Sequence, residues 1–174
     1  MQLSRGNRSL YDFLLPQECL TEEEKPVSNH VILKADIRGS IQINHIMRTR
    51  GLNPASHFSL NFFDPISEIL WIYDAFKVFI EGDAIILAIF ENENTPEGWY
   101  SVARACGLAI RILQIVQRYN VKNEENNLPI LELGIGIAES AGPPFYLFDG
   151  DSLIMISPAI NMAVAFAQGN QRVL

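Results

Sequence analysis

A short turn between two apolar runs constrains the fold of this chain most strongly. Residues 75–80 and 84–90 are apolar segments, and only Glu81-Gly82-Asp83 separates them. A connection this short joins antiparallel neighbours, because parallel strands need a crossover of a dozen or more residues. The sequence therefore predicts a β-hairpin within an antiparallel sheet, with Asp83 at its turn.

A second aspartate ends another predicted strand. Val31 to Asp36 is a nearly continuous apolar run, which is typical of a central strand covered on both faces. Two carboxylates at neighbouring strand ends, beside glycines that admit a phosphate to the backbone, suit a two-metal phosphoryl-transfer site. We therefore predict Asp36 and Asp83 as ligands of divalent cations. The alternative is that each aspartate only ends a strand or makes a turn.

Helical patterns alternate with these strands. Apolar spacing and proline or N-cap signals predict helices over 40–50, from Pro54 with a kink at Pro65, from Thr95 to about Asn120, and from Ser157 to Ala167. Further strands are predicted over 131–137 and 153–156, and a loop over 122–127. The order β-α-α-β-β-α-β-β-α predicts an α+β fold with a ferredoxin-like βαββαβ core, an extra helix and an extra strand. We expect residues 1–29 to be a lead-in or linker and 30–174 to form one domain.

Composition narrows the partners and the compartment. A net charge of -7 argues against a nucleic acid partner but allows a small polyphosphate whose charge is offset by cations. Cys19 and Cys106 lack metal-type spacing, and we expect buried free thiols, as in the cytoplasm. The sequence predicts no membrane segment, since no apolar run reaches the length of about 20 residues that spans a bilayer.

Four segments give the chain a resemblance to a known family. They are 35–39 (Ala-Asp-Ile-Arg-Gly), 82–90 (Gly-Asp-Ala-Ile-Ile-Leu-Ala-Ile-Phe), 133–137 (Leu-Gly-Ile-Gly-Ile) and 157–161 (Ser-Pro-Ala-Ile-Asn). In this order and spacing the chain resembles the catalytic domain of class III nucleotidyl cyclases, the adenylate and guanylate cyclases. The resemblance spans roughly residues 30 to 170.

The resemblance implies an activity and a set of residues. Asp36 and Asp83 would hold two Mg or Mn ions, the Ile37 carbonyl would assist, and Gly39 would admit the triphosphate. Asn161 would orient the ribose or the transition state. Such a domain converts a nucleoside triphosphate to a 3′,5′-cyclic nucleotide and pyrophosphate, and it works as a homodimer with active sites across the interface.

Several positions depart from the family pattern. Ala165 stands where the family places a transition-state arginine. Phe79 and Ile154 stand at the substrate-binding positions that read a purine, so the base stays open and includes UTP and CTP. Lys77, predicted on the same strand face as Phe79, is a further candidate for base or phosphate contact.

The chain also stops early in comparison with the family. It ends at Leu174, so we expect the C-terminal part of the domain to be missing. Two alternatives therefore accompany the cyclase hypothesis. One is a catalytically silent, cyclase-like regulatory or nucleotide-binding module, and the other is a ferredoxin-like interaction domain without a nucleotide.

Overall fold

A four-stranded antiparallel sheet in the order β2-β3-β1-β4 organises the fold. The computed structural model describes residues 27–149 and 152–169. The strands of this sheet are β1 (Val27–Arg38), β2 (Ala75–Glu81), β3 (Ala84–Asn92) and β4 (Glu132–Ala141). Two further strands, β5 (Phe145–Asp149) and β6 (Ser152–Ile156), form a separate antiparallel pair. This strand order is the predicted ferredoxin-like arrangement.

Five α-helices accompany the strands in the described part of the chain. They are α1 (Ser40–Thr49), α2 (Pro54–Phe58), α3 (Asp64–Ser67), α4 (Ser101–Glu125) and α5 (Pro158–Ala167). A π-helical turn, Ser59–Phe63, separates α2 from α3, just before the predicted kink at Pro65. The irregularity has a direct cause, because proline has no N–H with which to continue the α-helical hydrogen bonds.

The central strand β1 is buried on both faces, as its apolar run predicts. Val31, Leu33, Ala35 and Ile37 point into a large core that is covered by α1, α4 and the segment between α2 and β2. Ile32, Lys34 and Asp36 alternate with them and belong to the opposite side of the sheet. A smaller core, closed by α5, forms on that side. We call this side of the sheet the α5 face.

Helix α5 rests directly on β4. A Cβ atom at Gly134 would lie 2.0 Å from the Ala167 carbonyl oxygen, and one at Gly136 would lie 2.0 Å from the Ala163 oxygen. The helix begins where predicted, since the Ser157 hydroxyl accepts a hydrogen bond from the Ala159 N–H at 3.1 Å. The glycines of the predicted strand therefore allow the backbones of β4 and α5 to touch.

The long helix α4 differs from its prediction at both ends. It begins at Ser101 rather than Thr95, because the Glu91 carboxylate accepts hydrogen bonds from the Ser101 N–H and hydroxyl at 2.8 and 2.9 Å. It also continues through the predicted loop 122–127 as far as Glu125. The side chain of Glu91 thus takes the role of an N-cap from a neighbouring strand.

The apolar spacing that predicts this helix, which includes Val102, Cys106, Ile110 and Leu113, would bury those residues, but the structure exposes them. The helix buries Arg104, Ala105, Leu108 and Ile112 instead. Cys106 is therefore a free thiol, as expected, but an exposed one. Cys19 lies outside the described residues.

Two further boundaries differ from the prediction. Strand β5 was not predicted, and β1 begins at Val27, inside the predicted lead-in. The other residues of that lead-in, 1–26, lie outside the described part of the chain. No helix within the described ranges is long and apolar enough to cross a bilayer.

Candidate functional site

The two predicted aspartates lie together at the end of the sheet where the β2–β3 turn is found. Asp36 pairs in register with Ala84, the first residue of β3 and the neighbour of Asp83 in sequence. The Ile37 N–H donates a hydrogen bond to the Asp83 carbonyl oxygen at 3.3 Å, so the turn is tied to β1 just beyond Asp36. Both aspartates are partly buried. The fold therefore brings the predicted metal ligands together.

The electrostatics of this end of the sheet suit a divalent cation. Burial raises the pKa of Asp36 above its ordinary value, and the negative charge of Asp83 raises it further. The opposing charge of Lys34 acts to lower the same pKa. Two carboxylates that repel each other in this way are stabilised when a divalent cation lies between them. The donor chemistry of the two aspartates therefore fits Mg or Mn.

Among the described residues, no third acidic, histidine or cysteine side chain joins the two aspartates in a metal-binding group. Within 27–149 and 152–169, no group of three or more such residues could hold a metal ion. Mg in proteins is commonly held by one or two carboxylates, with water and substrate phosphates completing the octahedron. A pair of aspartates is therefore a sufficient protein contribution.

A cleft of about 360 Å³ adjoins Asp83. It lies between α1, the start of α2 and the β2–β3 turn, and Ser40, Asn44 and Arg48 line it at four-residue intervals along α1. Arg48 was not singled out from the sequence, where it is one of several basic residues. Arg48 and Asp83 both line the cleft, which therefore contains both a cation and a carboxylate.

Gly39 makes the sharp connection between β1 and this cleft. It occupies the N-cap position of α1 with a φ of 65°, a left-handed conformation that favours glycine. Ile37 is buried in the large core, so only its backbone is available to a ligand. The predicted roles of both residues therefore depend on main-chain groups.

Lys34 and Glu81 form an ion pair on the α5 face beside Asp36. The Lys34 ammonium donates a hydrogen bond to Glu81 Oε2 at 3.0 Å, and the two side chains are 5% and 59% exposed. Neither residue was predicted to belong to the site. The signal was a lysine inside an otherwise apolar strand, two residues before Asp36 and therefore on the same face.

Phe79 lies on the α5 face, but Lys77 does not. Phe79 pairs with Ile86 of the smaller core, whereas Lys77 pairs with Leu87 of the large core. The extra residue Val78 shifts the register between them, which is the effect of a β-bulge. The prediction that Lys77 shares a face with Phe79 is therefore wrong. Phe79 itself is 40% exposed.

The remaining predicted residues lie on other elements. Ile154 is on β6 and is 42% exposed, and Asn161 is exposed on α5. Ala165 follows Asn161 by one helical turn and shares its side of α5. None of these three residues lies on the strands or the turn that carry the two aspartates.

Comparison with known proteins places this geometry in a known fold. No protein-family profile matches the sequence, and no curated protein matches it. Solved structures do match. The guanylyl cyclase Cya2 has a TM-score of 0.65 at 16% identity, over 83% of this chain and 72% of that chain. The chain has the fold of a nucleotidyl cyclase domain.

Two other guanylyl cyclase domains have similar scores. The dimeric domain of the RhoGC fusion protein from Blastocladiella emersonii gives a TM-score of 0.64 at 17% identity, over 83% of this chain and 75% of that one. The domain of RhGC from Catenaria anguillulae, solved in complex with GTP, gives 0.60 at 15% identity, over 83% and 75%. Adenylyl cyclase structures match as well. The fold expected from the resemblance is confirmed, at identities that establish the fold alone.

Proposed function

We propose that this chain is a nucleotidyl cyclase domain that converts a nucleoside triphosphate to a 3′,5′-cyclic nucleotide and pyrophosphate. The observation that carries the proposal is that Asp36 and Asp83 lie next to each other at the turn end of a cyclase-type sheet. The two carboxylates would hold two Mg or Mn ions. When bound, such ions polarise the attacking hydroxyl and stabilise the negative charge on the α-phosphate.

The residues around the aspartates would position the triphosphate. Gly39 turns the chain without a side chain, which leaves the start of α1 open to phosphate oxygens. Arg48, which lines the same cleft as Asp83, would supply a guanidinium for the β- and γ-phosphates, a contact that is often bidentate. The Ile37 carbonyl, next to Asp36 in sequence, would assist the cations.

The base and ribose would bind against the α5 face of a second copy of the chain. Phe79 and Ile154 offer partly exposed apolar surface, which can pack against a base but cannot read its hydrogen-bonding edge. Asn161, exposed on α5, would orient the ribose or the transition state. We therefore propose a homodimer in which each site combines the aspartates of one copy with α5 of the other. An exposed free thiol at Cys106 is compatible with a cytoplasmic protein.

Turnover tests the proposal. The purified protein would be incubated with Mn and, separately, ATP, GTP, CTP and UTP, and cyclic products would be identified by mass spectrometry. We expect one or more cyclic products that disappear in Asp36→Ala and persist in Lys77→Met, which changes a charge on the opposite face of the sheet. A folded protein that forms no product with any nucleotide would contradict the proposal and favour the silent module.

Restoring the missing cation gives a second test. An arginine that stabilises phosphoryl charge contributes roughly 10³- to 10⁵-fold in rate in other phosphoryl-transfer enzymes. Ala165 lies on α5 one turn after Asn161, in partly exposed surroundings that an arginine side chain can enter. We expect Ala165→Arg to raise kcat at least about tenfold, a small part of that range. An unchanged or lower kcat in a folded variant would show that this position does not face the reacting phosphate.

A further inference from the structure

Lys34 is a buried charge that the proposed reaction does not use. Its side chain is 5% exposed in the middle of β1, and its ammonium bonds only to Glu81 among the described residues. A lysine is rarely buried unless it is paired, because the desolvation of the ammonium must be offset. The burial of Lys34 therefore indicates that the ion pair has a structural role, which a solvated surface charge would not have.

The pair spans β3, the strand that lies between β1 and β2. In register, Asp36 of β1, Ala84 of β3 and Glu81 of β2 lie in one row across the sheet. Strands β1 and β2 are two spacings apart, about 10 Å. The long lysine and the glutamate meet across this gap, and the small side chain of Ala84 lies between their strands, 1% exposed.

Each member of the pair lies two residues before a proposed metal ligand. Lys34 precedes Asp36 on β1, and Glu81 precedes Asp83 through the turn residue Gly82. A second link, from the Ile37 N–H to the Asp83 carbonyl, joins the same two segments on the far side of Asp36. The turn that carries Asp83 is thus held to β1 on both sides of Asp36.

We propose that Lys34 is a positioning residue, whose ion pair with Glu81 holds the β2–β3 turn so that Asp36 and Asp83 share a cation pair. This inference rests on the proposed metal-binding role of the two aspartates. Residues that orient metal ligands typically contribute 10- to 100-fold to metal affinity.

The direction in which Lys34→Met changes the Mn²⁺ affinity distinguishes a positioning role of Lys34 from a purely electrostatic one. If Lys34 acted only as a nearby positive charge, its removal would tighten Mn²⁺ binding at Asp36. If it positions the ligands, its removal weakens binding, and we expect a Kd about tenfold higher by calorimetric titration with MnCl2. Lys34→Arg, which keeps the charge and the reach, should recover most of the affinity, and Lys77→Met should bind as the wild type does. Equal or tighter binding in Lys34→Met would overturn the proposal.

Amide hydrogen exchange tests the link without metal or substrate. The Ile37 N–H is protected by its bond to Asp83, so a loosened turn exposes it to exchange. We expect Ile37 to exchange at least about fivefold faster in Lys34→Met than in wild type, with β4 amides unchanged. Glu81→Ala, a change at an exposed side chain, should have the same effect and serves if Lys34→Met does not fold. Unchanged exchange at Ile37 overturns the positioning role, whereas a wild type that binds no Mn²⁺ overturns the proposed function itself.

Discussion

A single methyl group at Gly136 should displace the helix that carries Asn161. A Cβ atom there would lie 2.0 Å from the Ala163 oxygen and 2.6 Å from the Ala167 nitrogen. Carbon–oxygen contacts between neighbouring backbones normally measure about 3.3 Å or more, so α5 must retreat by roughly 1.3 Å. Both obstructing atoms belong to the backbone, and no change of rotamer can relieve the contact.

The expected loss of stability follows from two opposing effects. Overpacking a core typically costs about 1–3 kcal/mol, and replacing glycine by alanine returns about 0.4–1 kcal/mol through the unfolded chain. We expect Gly136→Ala to lower the free energy of unfolding by about 1.3 kcal/mol, which for a chain of this size lowers Tm by about 3–5 °C. Thermal and urea unfolding would measure it.

Glu139→Ala provides the control for this substitution. Glu139 is exposed on the same strand, and its change should alter stability by no more than about 0.5 kcal/mol. Gly136→Ala should also reduce turnover more than Mn²⁺ affinity, since α5 moves and the two aspartates do not. A variant as stable as the wild type would refute the close packing of β4 and α5.

Three further predictions concern ionisable side chains that are buried or partly buried. Asp36→Asn should raise the Tm of the metal-free protein at pH 7, because burial and the charge of Asp83 raise the pKa of Asp36 and make its ionised form destabilising. The gain in Tm should vanish as the pH falls below the ordinary aspartate pKa of 3.8. Excess Mn²⁺ should make the wild type the more stable of the two proteins. Arg104→Met should lower the free energy of unfolding by about 2–3 kcal/mol, because the variant loses the bonds of the buried guanidinium to the Tyr73 and Phe90 carbonyls and its ion pair with Asp74. Urea titrations would measure the loss, and Lys122→Met, a surface change on the same helix, should lose less. Burial lowers the pKa of His57, so the wild type should lose stability as the pH falls below the ordinary histidine pKa of 6.5. His57→Gln should remove this part of the pH dependence. A Tm difference between wild type and variant that stays constant from pH 7.5 to 5 would contradict the burial of the imidazole.

The parts of the site that the sequence predicted are those set by local signals. The turn at Gly82 joins two apolar runs, and this alone makes β2 and β3 antiparallel neighbours. Asp36 closes the apolar run of the central strand β1, which continues only to Arg38, so its carboxylate lies near the end of the sheet. The order of the predicted elements, with its ferredoxin-like core, then gives the strand order that places Asp36 next to the turn of Asp83.

The errors arise where the outcome depends on distant parts of the chain. Helix α4 carries two apolar stripes, and periodicity cannot decide which of them the sheet covers. The bulge at Val78 reverses the direction of Lys77 without leaving a proline or glycine as a signal. The pairing of Lys34 with Glu81 spans two strands, so it became visible only with the register of the whole sheet.

The central claim is that Asp36 and Asp83 together hold the cations of a bound nucleoside triphosphate. The most direct measurement is an anomalous difference map from crystals grown with Mn²⁺ and a triphosphate analogue that cannot cyclise. The account predicts two Mn²⁺ peaks about 4 Å apart, each within coordination distance of a carboxylate oxygen of Asp36 or Asp83. A bound triphosphate whose Mn²⁺ peaks lie away from both aspartates would contradict it.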